Sequence, residues 1–200
     1  MKTIYVYVMD TMATWEIGYL LQGFSLESQI NGEKSFEIKT VSKDRNPVKT
    51  LDGLQLIPDM TIEEMIEEAV GLILPGGVTW SEENEIIAIA KEYLAAGKLL
   101  AGICGATFEF GKEGILNEYK HTSNSVFYLK LDENYKGDEL YHDVLCMTDK
   151  NLITASSAGS LEFGKAVLKY FKVYSDDNIE LWYDYYKTGN QASLMKLLNY

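Results

Sequence analysis

The sequence predicts an α/β protein in which helices cover both faces of a mostly parallel sheet. Three observations predict it. Short apolar runs at residues 4–9, Gly71–Leu74 and Leu99–Ile103 have the length and composition of buried strands. Amphipathic stretches separate them, and parallel strands need such helical crossovers. Two of the runs stop at small residues, Pro75-Gly76-Gly77 and Cys104-Gly105, and in such sheets ligands sit outside the carboxyl ends of the strands.

Taken in order, residues 4–9 are β-branched and aromatic, a first buried strand. Trp15, Ile17, Leu20, Leu21 and Phe24 follow at helical spacing, with Thr14 as the expected N-cap. Residues 36–41 alternate with period two, a second and less buried strand. Asp52-Gly53, between two β-prone runs in residues 48–57, is a hairpin signal. Thr61-Ile62-Glu63-Glu64 fits a capping box that opens a short acidic helix, and Glu63, Glu64, Glu67 and Glu68 read as its solvated face. Residues 82–96 are helical in period and end at Gly97, a left-handed cap position. A helix over residues 106–112 follows Cys104-Gly105. Residues 126–131, 144–148 and 151–155 are expected strands, the second holding Cys146 as a core thiol. Residues 161–171 are amphipathic, and residues 175–199 predict one or two helices around Gly189.

Composition narrows the function. The chain has 200 residues, 46% hydrophobic and 24% charged, which suits one folded domain and excludes a disordered or fibrous protein. Eighteen basic against thirty acidic residues give a net charge of −12, which opposes binding to nucleic acid or an anionic membrane. Two cysteines cannot make a disulfide framework, and reduced thiols suit the cytoplasm. The first apolar run is too short for a secretory signal, and no run is long enough to span a membrane.

Gly102-Ile103-Cys104-Gly105-Ala106 has the form of a nucleophile elbow, with Cys in place of Ser. Small neighbours permit a tight strand-to-helix turn that lifts the sulfur out of the sheet. At a helix N-terminus, unpaired N–H groups and the macrodipole favour the thiolate, so Cys104 is expected to ionise well below a free thiol. The alternative is an inert core cysteine at a strand end. Gly76 and Gly77, with the Gly105 N–H, are the expected backbone donors of an anion pocket. No dinucleotide fingerprint follows the first strand and no metal-ligand spacing is present, so no cofactor or metal is expected.

These residues, together with His121-Thr122-Ser123-Asn124, Leu152-Ile153-Thr154-Ala155-Ser156 and Leu161-Glu162-Phe163, resemble the ThiJ/PfpI superfamily. The resemblance covers residues 1–172. Residues 173–200 are then a C-terminal helical extension packed on the same domain. It implies the class I glutamine amidotransferase-like fold, a flavodoxin-like three-layer α/β/α sandwich. It also implies that Glu16 is the acidic residue beside the reactive Cys104, protonated and hydrogen-bonded to the sulfur. Desolvation and like charge would raise such a carboxyl. Taken alone, Glu16 reads as a first-turn acid favouring its own helix dipole. The activities implied are those of an intracellular protease or amidase, or of a glyoxalase or deglycase acting on small reactive carbonyls. A homodimer acting on a small molecule or peptide is implied as well.

The chain departs from that pattern at its histidines. Members with a catalytic His carry it directly after the cysteine, where this chain has Gly105, or downstream, where it has Asn124. His121 lies just before that second position and serves only if a loop swings it to the sulfur. Asn124 is suited to orient a carbonyl or a water. His142, beside Asp143, reads as a solvated residue, and no late His-x-Glu pair completes a glutaminase triad. The rival reading is therefore a non-hydrolytic redox or stress-response protein whose Cys104 is oxidised to sulfinic acid. A third is a binding module without turnover.

Overall fold

The computed structural model describes residues 1–199. Its seven-stranded sheet is built from β1 (Lys2–Tyr7), β2 (Phe36–Ser42), β5 (Met60–Thr61), β6 (Gly71–Leu74), β7 (Leu99–Ile103), β8 (Cys146–Asp149) and β9 (Leu152–Ala155), in the spatial order β5-β2-β1-β6-β7-β9-β8. Every pairing is parallel except β8 with β9. The long parallel strands run second, first, third, fourth, fifth across the sheet, the flavodoxin-like order, and the order reverses between β1 and β6. The expected α/β architecture is the one observed. A separate two-stranded hairpin joins β3 (Val48–Lys49) to β4 (Gln55–Leu56), with Gly53 at φ 91° in its turn.

The helices are α1 (Trp15–Ser25), α2 (Glu27–Asn31), α3 (Asn84–Ala95), α4 (Gly105–Lys112), α5 (Val126–Leu129), α6 (Ser160–Phe171), α7 (Asp176–Thr188) and α8 (Gln191–Leu197). Helices α1 and α6 meet where glycines remove side chains: a Cβ at Gly23 would stand 2.5 Å from the Leu168 side chain, and one at Gly164 3.0 Å from the Leu20 backbone. Helix α7 is tied to α1 by Trp182, fully buried, whose indole N–H donates to Gln22 Oε1 at 2.6 Å. Burying a large apolar side chain of this kind contributes roughly 1.5–3 kcal/mol. Among the described residues, no helix is long and apolar enough to cross a membrane.

Three local expectations are corrected. Residues 126–131 begin as helix α5, because Ser125 accepts from the Tyr128 N–H at 3.1 Å and caps the turn. The capping box at Thr61 and Glu64 forms, but it opens only a single 3-10 turn, Ile62–Glu64, since Met65 turns extended. Thr14 does flank α1, yet its hydroxyl bonds Asp52 in the hairpin loop and caps nothing.

Candidate functional site

Three strand ends meet at the carboxyl edge, next to the point where strand order reverses. After β1, Ala13 N–H donates to Gly76 O at 2.9 Å, and the Thr79 hydroxyl donates to Asp10 O at 2.6 Å. Ser160, at the start of α6, fixes the start of α1 by donating to Trp15 O at 2.8 Å and Glu16 O at 3.1 Å. This sets the fully buried Glu16 carboxyl against the loop after β6, where Gly76 N–H donates to Oε2 at 2.6 Å. Glycine is required there: a Cβ at Gly76 would lie 2.3 Å from Glu16 Oε2 and 2.7 Å from Cys104 Cβ. The carboxyl and the cysteine thus converge on one vacant position.

Cys104 turns from β7 into α4 with φ 56° and ψ −117°. A non-glycine residue in such a conformation stores on the order of 1–3 kcal/mol. Local hydrogen bonds hold it. Its N–H donates to Ala155 O at 2.9 Å, and its carbonyl accepts from Thr107 N–H at 3.0 Å and from the Thr107 hydroxyl at 2.6 Å. The Thr107 and Ser123 hydroxyls, 2.7 Å apart, continue the network inward. The elbow geometry read from the glycines is therefore present.

The direction of the thiol's titration is not the expected one. Burial pushes Cys104 up to about 11, helped by the negative charge of Glu16, while the Asn124 amide and the Gly105 N–H pull the other way. Desolvation outweighs the helix N-terminus because the sulfur is half-buried beside a carboxylate. Burial also raises Glu16, against the opposing influence of the Cys104 thiol and the Gly76 N–H. Its Oε1 is buried without a conventional hydrogen-bond partner among the described residues. Both members of the pair are therefore pushed toward holding a proton.

Asn124 reaches the sulfur. Its Nδ2 donates to Sγ at 3.3 Å, and its Oδ1 accepts from Ser157 N–H at 2.8 Å. The second bond fixes the amide orientation, because only a carbonyl oxygen can accept from a backbone N–H. Of the expected backbone donors, Gly76 N–H is already engaged by Glu16, whereas Gly77 N–H has no partner among the described residues. Gly105 packs so closely on Gly77 that a Cβ on it would stand 2.5 Å from Gly77 O.

His121 is not brought to the site. It is fully buried, with Nδ1 on Tyr119 O at 2.7 Å and Nε2 on the Tyr135 hydroxyl at 2.8 Å. Burial lowers its pKa, so it rests as a neutral structural ring between Tyr135 and Tyr141. Cys146 is half-buried on the edge strand rather than in the core, and burial raises it to about 12. No group of three or more His, Cys, Asp or Glu suited to a metal occurs among the described residues.

Sequence reasoning missed two parts of the site. One is the Thr107–Ser123 network, whose hydroxyl pair has no linear spacing rule. The other is the helical turn that follows Asn124, α5, on which Tyr128 is half-buried with its ring 4.9 Å from that of Phe108. Its signal was the capping Ser125, hidden by the β-prone run that follows it.

The model of the DJ-1/PfpI family matches residues 2–170. The uncharacterized protease YoaZ of Bacillus subtilis (strain 168) is 36% identical over 203 residues, covering 99% of this chain and 97% of that protein. The uncharacterized protease YdeA of the same organism is 29% identical, covering 90% of this chain and 88% of the relative. The crystal structure of a thiJ/pfpI family protein from Bacillus anthracis superposes with a TM-score of 0.92 at 36% identity, over 100% of this chain and 97% of the other. With the parallel sheet and its cysteine elbow, these matches make the chain a member of the DJ-1/PfpI family.

Proposed function

We propose that the protein is a cysteine enzyme acting on small reactive carbonyls, with Cys104 as nucleophile and Glu16 as proton carrier. The observation that carries this reading is the buried Glu16 carboxyl, converging with Cys104 on Gly76 and keeping one oxygen unpartnered. The sulfur attacks the aldehyde carbon and forms a C–S bond. The carbonyl π pair moves to oxygen, and the thiol proton passes through Glu16 to that oxygen, giving a neutral hemithioacetal. A carboxyl whose pKa is raised by burial is suited to both halves of such a relay. The Gly77 and Gly105 N–H groups are the candidate donors for the developing alkoxide.

Peptide hydrolysis, suggested by the names of the two Bacillus subtilis relatives, uses the same nucleophile but also requires a group to protonate the leaving amine. Both ring nitrogens of His121 are taken, which favours carbonyl addition over proteolysis. The test is competition. Methylglyoxal is expected to protect Cys104 from iodoacetamide in a saturable way and to be consumed by the protein. A Cys104→Ser variant is expected to consume none. Unprotected alkylation would overturn the proposal.

A second reading rests on Asn124. Its amide donor is aimed at Sγ, and the open Glu16 Oε1 is suited, when protonated, to donate to a second oxygen. Together they suit a sulfinate, formed when thiolate sulfur takes one oxygen from each of two peroxide molecules and releases two waters. Peptide mass mapping after peroxide is expected to show two added oxygens on Cys104 before Cys146 changes. Earlier modification of Cys146 would count against it.

A further inference from the structure

The segment after Asn124 points to another donor. Asn124 bonds the sulfur, Ser125 caps α5, and α5 carries Tyr128 back over α4, where it stacks on Phe108 with ring centroids 4.9 Å apart and planes tilted by 33°. Phe108 lies in the first turn of α4, the helix that Cys104 precedes, and Tyr128 covers it there. The Tyr128 ring is half-buried, and its hydroxyl has no hydrogen-bond partner among the described residues. Its oxygen is not among the side-chain atoms buried without a partner, so it is open to solvent and to a ligand arriving from there.

We propose that the Tyr128 hydroxyl donates a hydrogen bond to the oxygen of a carbonyl compound bound at Cys104, making Tyr128 a further substrate-binding residue of this site. Burial, and after it the negative charges of Cys104, Glu109 and Glu16, raise the phenol's pKa, so the O–H stays protonated and available. The Phe108 contact holds the ring in place. The inference rests on the carbonyl reading above and adds a residue to it that α5 alone supplies.

The test is Tyr128→Phe, which keeps the ring and its stacking and removes only the hydroxyl. Cys104 alkylation by iodoacetamide is followed at increasing methylglyoxal, each protein's own rate without carbonyl serving as reference. Losing one neutral hydrogen bond is expected to raise the half-protecting methylglyoxal concentration about five- to tenfold. Equal protection in the variant and the wild type would overturn the role of Tyr128 while leaving the carbonyl reading intact. Absence of protection in the wild type would overturn both. Near-ultraviolet circular dichroism on the variant checks that the Phe108 stack survives, so that a shift in protection is assigned to the hydroxyl.

Discussion

Glu16→Gln is expected to speed alkylation of Cys104 about tenfold at pH 9. The sign follows from charge. In the wild type, forming the thiolate places a second negative charge beside the buried Glu16 carboxylate, and this adds to the burial that pushes Cys104 up to about 11. Glutamine has the same shape, and its amide oxygen can still accept from Gly76 N–H, but it carries no charge. The thiolate then forms at lower pH. Below the thiol pKa, every tenfold change in its acidity constant is a tenfold change in thiolate fraction, and the thiolate is the species that alkylates. The wild-type rate is expected to keep climbing as pH approaches 11, whereas the variant's profile lies to the acid side of it. A profile displaced to higher pH would mean that Glu16 serves the thiolate as a protonated donor, and would reverse the sign argued here.

Gly105→Ala is expected to destabilise the protein by about 1–3 kcal/mol, the usual range for overpacking a rigid site. The added methyl would sit 2.5 Å from Gly77 O, 3.0 Å from Trp80 Cδ1 and 3.1 Å from Gly77 N. Two of those three atoms are backbone, so no rotamer change relieves the clash; either α4 or the loop after β6 must move. For a chain of this size the loss corresponds to a fall in Tm of about 2–4 °C per kcal/mol. Gly18→Ala gives the opposite sign and serves as control. Gly18 is exposed within α1 with nothing within 4 Å of its Cβ position, so alanine there is expected to stabilise by about 0.5–1 kcal/mol. If Gly105→Ala melts with the wild type, the close seating of the elbow on the β6 loop is not real. Calorimetry on the three proteins decides the point.

The local grammar of the chain determined the frame of this protein. Runs of four and five apolar residues, bounded by Pro-Gly-Gly and Cys-Gly, set the ends of β6 and β7, and Gly97, Gly53 and Gly189 adopt the positive φ that their positions in the chain called for. From those ends it followed that Gly76, Gly77 and Cys104 share one edge of the sheet, whereas Glu16 joined them only through the family resemblance. Only tertiary packing decided what the edge can do. Asn124 reaches the sulfur because Ser157, thirty-three positions later, turns its amide; His121 is spent on Tyr119 and Tyr135; and residues 126–129 coil because α5 packs over α4 instead of joining the sheet. The thiol's acidity was misjudged for the same reason. A helix N-terminus is visible in sequence, but the water removed from around a sulfur depends on side chains brought in from distant segments, and here that loss outweighs the dipole.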